Sequence, residues 1–193
     1  MKTTALILSI LVILLSCKRK SKEETNDPVV SSATTTTSTT STPSQVSVAS
    51  ITLTSGAKTI TVSGTCGWAT VAGINYIGAK DQNKSLRVLE ASFNIQSLPS
   101  QTTTYPLVAY DVNDTDPTHV SMSFSEQIGN GLLEWTSTSA SANLKLVVSG
   151  NKVTVDLAGI TLQAQTNSGF YTNLNTGDYA NPGVLSGTLT FYK

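Results

Sequence analysis

Asn143-Leu144-Lys145-Leu146-Val147-Val148-Ser149-Gly150-Asn151-Lys152-Val153-Thr154-Val155-Asp156-Leu157 decides the fold. Leu144, Leu146 and Val148 fall on one side of an extended chain, and Gly150-Asn151 offers a tight left-handed turn. Val153, Val155 and Leu157 then return with the alternation preserved. A period of two on both arms of a two-residue turn is the pattern of a β-hairpin with one buried face.

The same period recurs on either side. Ile51/Leu53 and Ile60/Val62 alternate, Val120, Met122, Phe124 and Ile128 form another face, and Gly129-Asn130-Gly131 turns that strand into Leu133 and Trp135. Leu185, Leu189 and Phe191 make a further strand. Leu89, Ala91, Phe93 and Ile95 share a parity opposite to Leu86 and Val88, so this strand carries a bulge or is covered on both faces, and Pro99 ends it. Residues 65–82, with scattered glycines, leave their pairing open. About eight to ten strands without a helical period predict an all-β fold, a single antiparallel β-sandwich or Greek-key barrel.

Before this domain, residues 31–44 are almost entirely serine and threonine, with too few apolar groups to offset the entropy of ordering. The 32 residues 18–49 read as a tether with a typical span of ~30 Å. Lys2 and the 11-residue apolar stretch Ala5 to Leu15 have the form of a signal peptide, and the stretch is shorter than the roughly 20 residues a membrane span needs. The chain thus divides into a leader (1–16), a tether (17–49) and a β-domain (50–193).

Leu14-Leu15-Ser16-Cys17 resembles the lipobox of bacterial lipoproteins. The resemblance implies that Cys17 is acylated and becomes the mature N-terminus, with several acyl chains giving stable membrane anchoring. Lys18 stands where an inner-membrane retention aspartate would, and Lys22-Glu23-Glu24 is similar to the charged export tag of surface lipoproteins in Bacteroidota. Outer-membrane placement follows, on the cell surface or the periplasmic face. Leader, tether and a β-domain ending Ser186-Gly187-Thr188-Leu189-Thr190-Phe191 together resemble a type of small Bacteroidota lipoprotein.

Between residues 50 and 193 there are seven basic and nine acidic side chains, scattered rather than clustered, which excludes a nucleic-acid partner. With Cys17 acylated, Cys66 has no second cysteine to build a disulfide framework.

Catalytic vocabulary is sparse. His119 is the single histidine, and no Gly-x-Ser-x-Gly elbow occurs. A Cys66/His119 dyad is the sharpest enzymatic alternative, a cysteine-dependent hydrolase, set against a buried strand cysteine and a strand-edge histidine. No catalytic residue, resident metal or cofactor is expected.

Asp111-Val112-Asn113-Asp114-Thr115-Asp116-Pro117 resembles the calcium-binding linker of cadherins, with Thr115 replacing an asparagine. Its alternative is an Asx-rich turn. The stretch 170–183 mixes aromatic rings with amides and a carboxylate, the chemistry that stacks on and hydrogen-bonds sugars. Tyr171, Asn173, Asn175, Asp178 and Tyr179 are therefore the candidate ligand-binding residues, while Trp68 and Trp135 belong to the core. The functional expectation is a lipid-anchored, non-catalytic envelope protein that binds a ligand or glycan. The alternative is a structural envelope protein that contacts other proteins through a sheet edge.

Overall fold

A computed structural model describes residues 45–193 apart from 72, 85, 95–96, 112–113, 115, 139–141 and 167–171. The leader, Cys17 and most of the tether lie outside the described residues. In chain order the described strands are β1 (Val48–Ser55), β2 (Lys58–Val71), β3 (Ile74–Asp81), β4 (Arg87–Phe93), β5 (Thr103–Pro106) and β6 (Val120–Ile128). They continue with β7 (Gly131–Thr136), β8 (Asn143–Ser149), β9 (Lys152–Asp156), β10 (Thr161–Ala164), β11 (Thr172–Asn173) and β12 (Gly183–Tyr192). One 3-10 turn, Gly177–Ala180, precedes β12.

The all-β expectation holds, and the bonding is ring-like. Strands β1, β2, β3, β4, β6, β7, β10 and β12 are joined in that order, and β12 returns to β1 along its length, from Val48 opposite Thr190 to Ser55 opposite Gly183. Strands β9, β8 and β5 extend from β12 as a flap. Strand pairings are antiparallel except for short β11, which runs parallel to β7.

Two glycines permit the closure. Gly64 pairs with both Ala49 of β1 and Asp81 of β3, and a Cβ there would lie 2.2 Å from the Lys80 carbonyl oxygen. Gly187 sits at φ +99 where β12 exchanges β10 for β9 as its neighbour, and a Cβ would lie 2.2 Å from the Ser50 carbonyl. Close backbone approach at both points requires a residue without a side chain.

The interior is one apolar core to which the ring and the flap both contribute. Ile51, Leu53, Ile77, Leu89, Met122, Phe124, Trp135, Leu146, Val155, Leu185 and Phe191 are buried in it. Burial of each such large side chain stabilises the fold by about 1.5–3 kcal/mol. The 144–157 hairpin forms as its alternation requires, with Leu146 opposite Val155 and Val148 opposite Val153. Trp135 is fully buried, and Trp68 packs on the core beside Phe93 at 5.8 Å between ring centroids.

The inward face is not wholly apolar. Arg87 and Glu126 are register partners with the inward parity of Leu89 and Phe124, and they form two near-parallel N–H···O bonds of 3.0 and 2.9 Å. The third arm of the guanidinium donates to the Thr61 carbonyl of β2 at 2.7 Å. Ile128, assigned from its period to the same face, is exposed, because it stands beyond this ion pair at the hairpin turn.

The mixed parity of β4 comes from burial on both faces. Val88 and Glu90 are buried on one side, Leu89 and Ala91 on the other, and the strand stops at Phe93. Residues 65–82, left open by the sequence, form the second half of β2 and β3, turning at Gly73 with φ +82.

Candidate functional site

What covers the second face of β4 also builds a polar recess. Side chains at alternate positions on neighbouring strands align in rows across the outer sheet face. Tyr76, Ser92 and Ser121 make one row, and Gly78, Glu90, Ser123 and Thr136 the next. Over them passes the segment after β5, held by the Val108 N–H to the Val120 carbonyl and the Tyr110 N–H to the Ser137 carbonyl, each 2.9 Å.

Glu90, only 3% exposed, is the unusual member. Ser92 Oγ donates to its Oε1 at 3.3 Å, and burial pushes the carboxyl up to about 7. Tyr76, buried and near Glu90, is pushed up to about 12 by the same desolvation and by the neighbouring carboxylate. Burial, then Glu90 and Glu134, raise Tyr110 further, against a hydrogen bond from Ser123.

At the mouth, the 111–119 segment supplies the acids. Asp114 Oδ2 bonds His119 Nε2, and Asp116 Oδ2 stands 3.5 Å from His119 Nδ1. Asn94 Nδ2 donates to the Asp114 carbonyl. Burial opposes ionisation of Asp114, but the Asp116 N–H and the imidazole more than offset it and hold the carboxyl below its ordinary range. The Thr118 hydroxyl and N–H do the same for Asp116, at 2.6 and 2.8 Å.

This geometry answers two sequence alternatives. Both ring nitrogens of His119 face carboxylates, which leaves neither as a free base for a nucleophile. Cys66 is not among the residues lining the recess, and its thiol donates to the Thr190 carbonyl at 3.2 Å.

The acids of the cadherin-like stretch form Asx turns around His119, with Asp116 N–H on Asp114 Oδ1 and Thr118 N–H on Asp116 Oδ1. Val112, Asn113 and Thr115 lie outside the described residues, and among the described residues no group of three acidic, histidine or cysteine side chains is placed to share a cation.

The 170–183 candidates are placed differently from the expectation. Asn173 donates to the Gln165 carbonyl and accepts the Asn175 N–H. Asn175 is buried, accepts the Glu134 N–H at 2.9 Å and donates to the Tyr179 carbonyl at 3.1 Å. The Tyr179 ring packs edge-on against Trp135, 6.2 Å between centroids. Asp178 alone points to solvent, 3.9 Å from Lys58, and Tyr171 lies outside the described residues. These amides are spent on backbone groups of Gln165, of Glu134 in β7 and of the same segment, so Asn173, Asn175 and Tyr179 latch that segment to the sheet.

The recess that replaces them is lined by Ile74, Tyr76, Ser92, Asn94, Tyr110, Asp111, Asp114, His119 and Ser121. About 10 Å³ is open to the centre of a water, room for a single water molecule or one hydroxyl group. Sequence reading singled out His119 and the acids but missed Tyr76, Glu90 and Tyr110. The available signal was the carboxylate of Glu90 set among Val88, Leu89 and Ala91. Comparison of the chain with protein-family models, with curated proteins and with solved structures returns no match.

Proposed function

We propose that the chain is a lipid-anchored protein of the bacterial outer membrane that binds a glycan or similar polyhydroxylated ligand without catalysis. The anchor rests on Leu14-Leu15-Ser16-Cys17 and the Ser/Thr-rich tether. The binding role rests on one observation: Asn94, Asp114, His119, Ser92 and Ser121 converge on a space the size of one hydroxyl. A sugar hydroxyl replacing an ordered water there keeps its hydrogen bonds, while the remainder of the glycan lies over the exposed rim. The engagement of both His119 nitrogens favours binding over acid–base work.

Contact with other envelope proteins through a sheet edge has less support. Ring closure pairs β1 with β12, and β5, paired with β8 alone among the described residues, is four residues long and ends in Pro106.

Mass spectrometry of the native product should find an acylated Cys17. Envelope polysaccharide should bind the wild-type domain and bind N94A at least about tenfold more weakly, the loss of a half-buried hydrogen-bonding group that lines the recess. Equal binding by both, or none by the wild type, overturns the recess as the site.

A further inference from the structure

Glu90 occupies a position that neither the core nor the recess requires. It stands on the outer face of β4 opposite Gly78 of β3 and Ser123 of β6. The missing side chain at Gly78 leaves that row to the carboxyl, and Tyr110 of the crossing segment hydrogen-bonds Ser123 over it.

The ionisable groups around Glu90 come from every neighbouring element. Strand β3 presents Tyr76 and, one row further, Lys80, while β6 presents Ser121, Ser123, Ser125 and Gln127 on this face, none of them ionisable. Strand β7 presents Glu134, which acts on Tyr110, and the crossing segment presents Tyr110 and then Asp111 at the mouth. The Ser92 hydroxyl is the group bonded to the carboxyl. A carboxylic acid in this place is well accommodated, whereas a carboxylate is desolvated beside the phenols of Tyr76 and Tyr110.

We propose that the protonation of Glu90 controls the seating of Tyr110: with Glu90 neutral the 107–111 segment lies closed on the sheet, and with Glu90 ionised it lifts so that water reaches the carboxylate. Leu107, buried in the core and bonded through its N–H to the Ala142 carbonyl at 2.9 Å, is the fixed end. The two bonds that must open are Val108 N–H to Val120 and Tyr110 N–H to Ser137. Lifting removes Tyr110 from the wall of the recess and widens it. A domain held outside the cytoplasm meets the pH of its surroundings directly, and the device operates whatever ligand the recess takes.

Because burial raises the carboxyl to about 7, the change falls across neutrality. Amide hydrogen exchange on the wild-type domain, corrected for intrinsic rates, tests it at about pH 5.5 and about pH 8.5. Protection of the Val108 and Tyr110 amides should fall at least about tenfold on going to the higher pH. At that pH both should exchange ahead of Leu185, whose N–H bonds the Ile160 carbonyl just before β10. In E90Q the pH dependence should vanish. The proposal is overturned if protection at Val108 and Tyr110 is the same at both values, if they exchange only together with Leu185, or if E90Q retains the fall. The wild-type comparison stands by itself should E90Q fold poorly.

Discussion

The Trp135 indole N–H donates to the Asn181 carbonyl at 3.0 Å, tying the largest fully buried side chain of the ring to the segment that precedes β12. Ser55 Oγ reaches the same carbonyl at 2.8 Å. Replacing Trp135 with Phe leaves a void and removes the indole donor. Urea denaturation should show W135F less stable by about 2–4 kcal/mol.

Asn175 satisfies two backbone groups from a buried position, so N175A leaves the Glu134 N–H and the Tyr179 carbonyl without these partners. A loss of about 1–3 kcal/mol is expected. The same variant should leave polysaccharide binding at the recess unchanged; a binding defect in a folded N175A would restore the 170–183 segment as the ligand site.

Arg87 and Glu126 are both largely shielded from water. Removing one partner strands a charge, so R87M should cost about 3–5 kcal/mol by thermal or urea unfolding. The double variant R87M/E126L should recover most of that loss, since two apolar side chains tolerate the site better than one unpaired carboxylate.

Stability should depend on pH with two opposite slopes. Glu90 is raised in the folded protein, so the folded state holds its proton more tightly than the unfolded chain. Its contribution is favourable below the unfolded value near 4.5 and is lost as pH climbs through about 7, a change of about 3 kcal/mol. Asp81 runs the other way. Burial opposes its charge, but the N–H groups of Ser63, Asn83 and Lys84 at 2.8–2.9 Å lower it, so its contribution is present above 3.8 and disappears in acid. Unfolding free energy should therefore peak on the mildly acid side of neutrality, and E90Q should flatten the alkaline limb alone.

Gly187 combines φ +99 with a Cβ position 2.2 Å from the Ser50 carbonyl oxygen. G187A should destabilise by more than about 3 kcal/mol or prevent folding, whereas G129A, at a turn with open space around it, should cost about 1 kcal/mol. Similar losses for the two would refute the ring-closing role of Gly187.

Sequence periodicity was sufficient for the 144–157 hairpin, for the 120–135 pair and for the core placement of Trp135, because inward apolar side chains recur there at every second position. It gave mixed signals at β4, where Glu90 is covered by a segment some twenty residues downstream that no local pattern announces. Ring closure was equally hidden, since it depends on Gly64 and Gly187 bringing backbones together over long separations. At the site, composition attracted attention to Asn173, Asn175 and Tyr179, yet amides and rings that can hold sugar can equally satisfy their own chain. The Gln165 carbonyl that accepts from Asn173, the Glu134 N–H that donates to Asn175 and the Trp135 ring against Tyr179 are what sequence alone could not supply.

Thr52 and Ser186 touch across the seam between β1 and β12 although 134 positions separate them. A seam of that kind is the least local step available to the chain, and its loop-closure entropy must be met before the seam yields any stability. Refolding should accordingly be slow, with hairpins such as 144–157 gathering early while the circle waits for its two ends to find each other. Unfolding should begin by unzipping that same seam, so the lifetime of the whole domain is set where its first and twelfth strands meet.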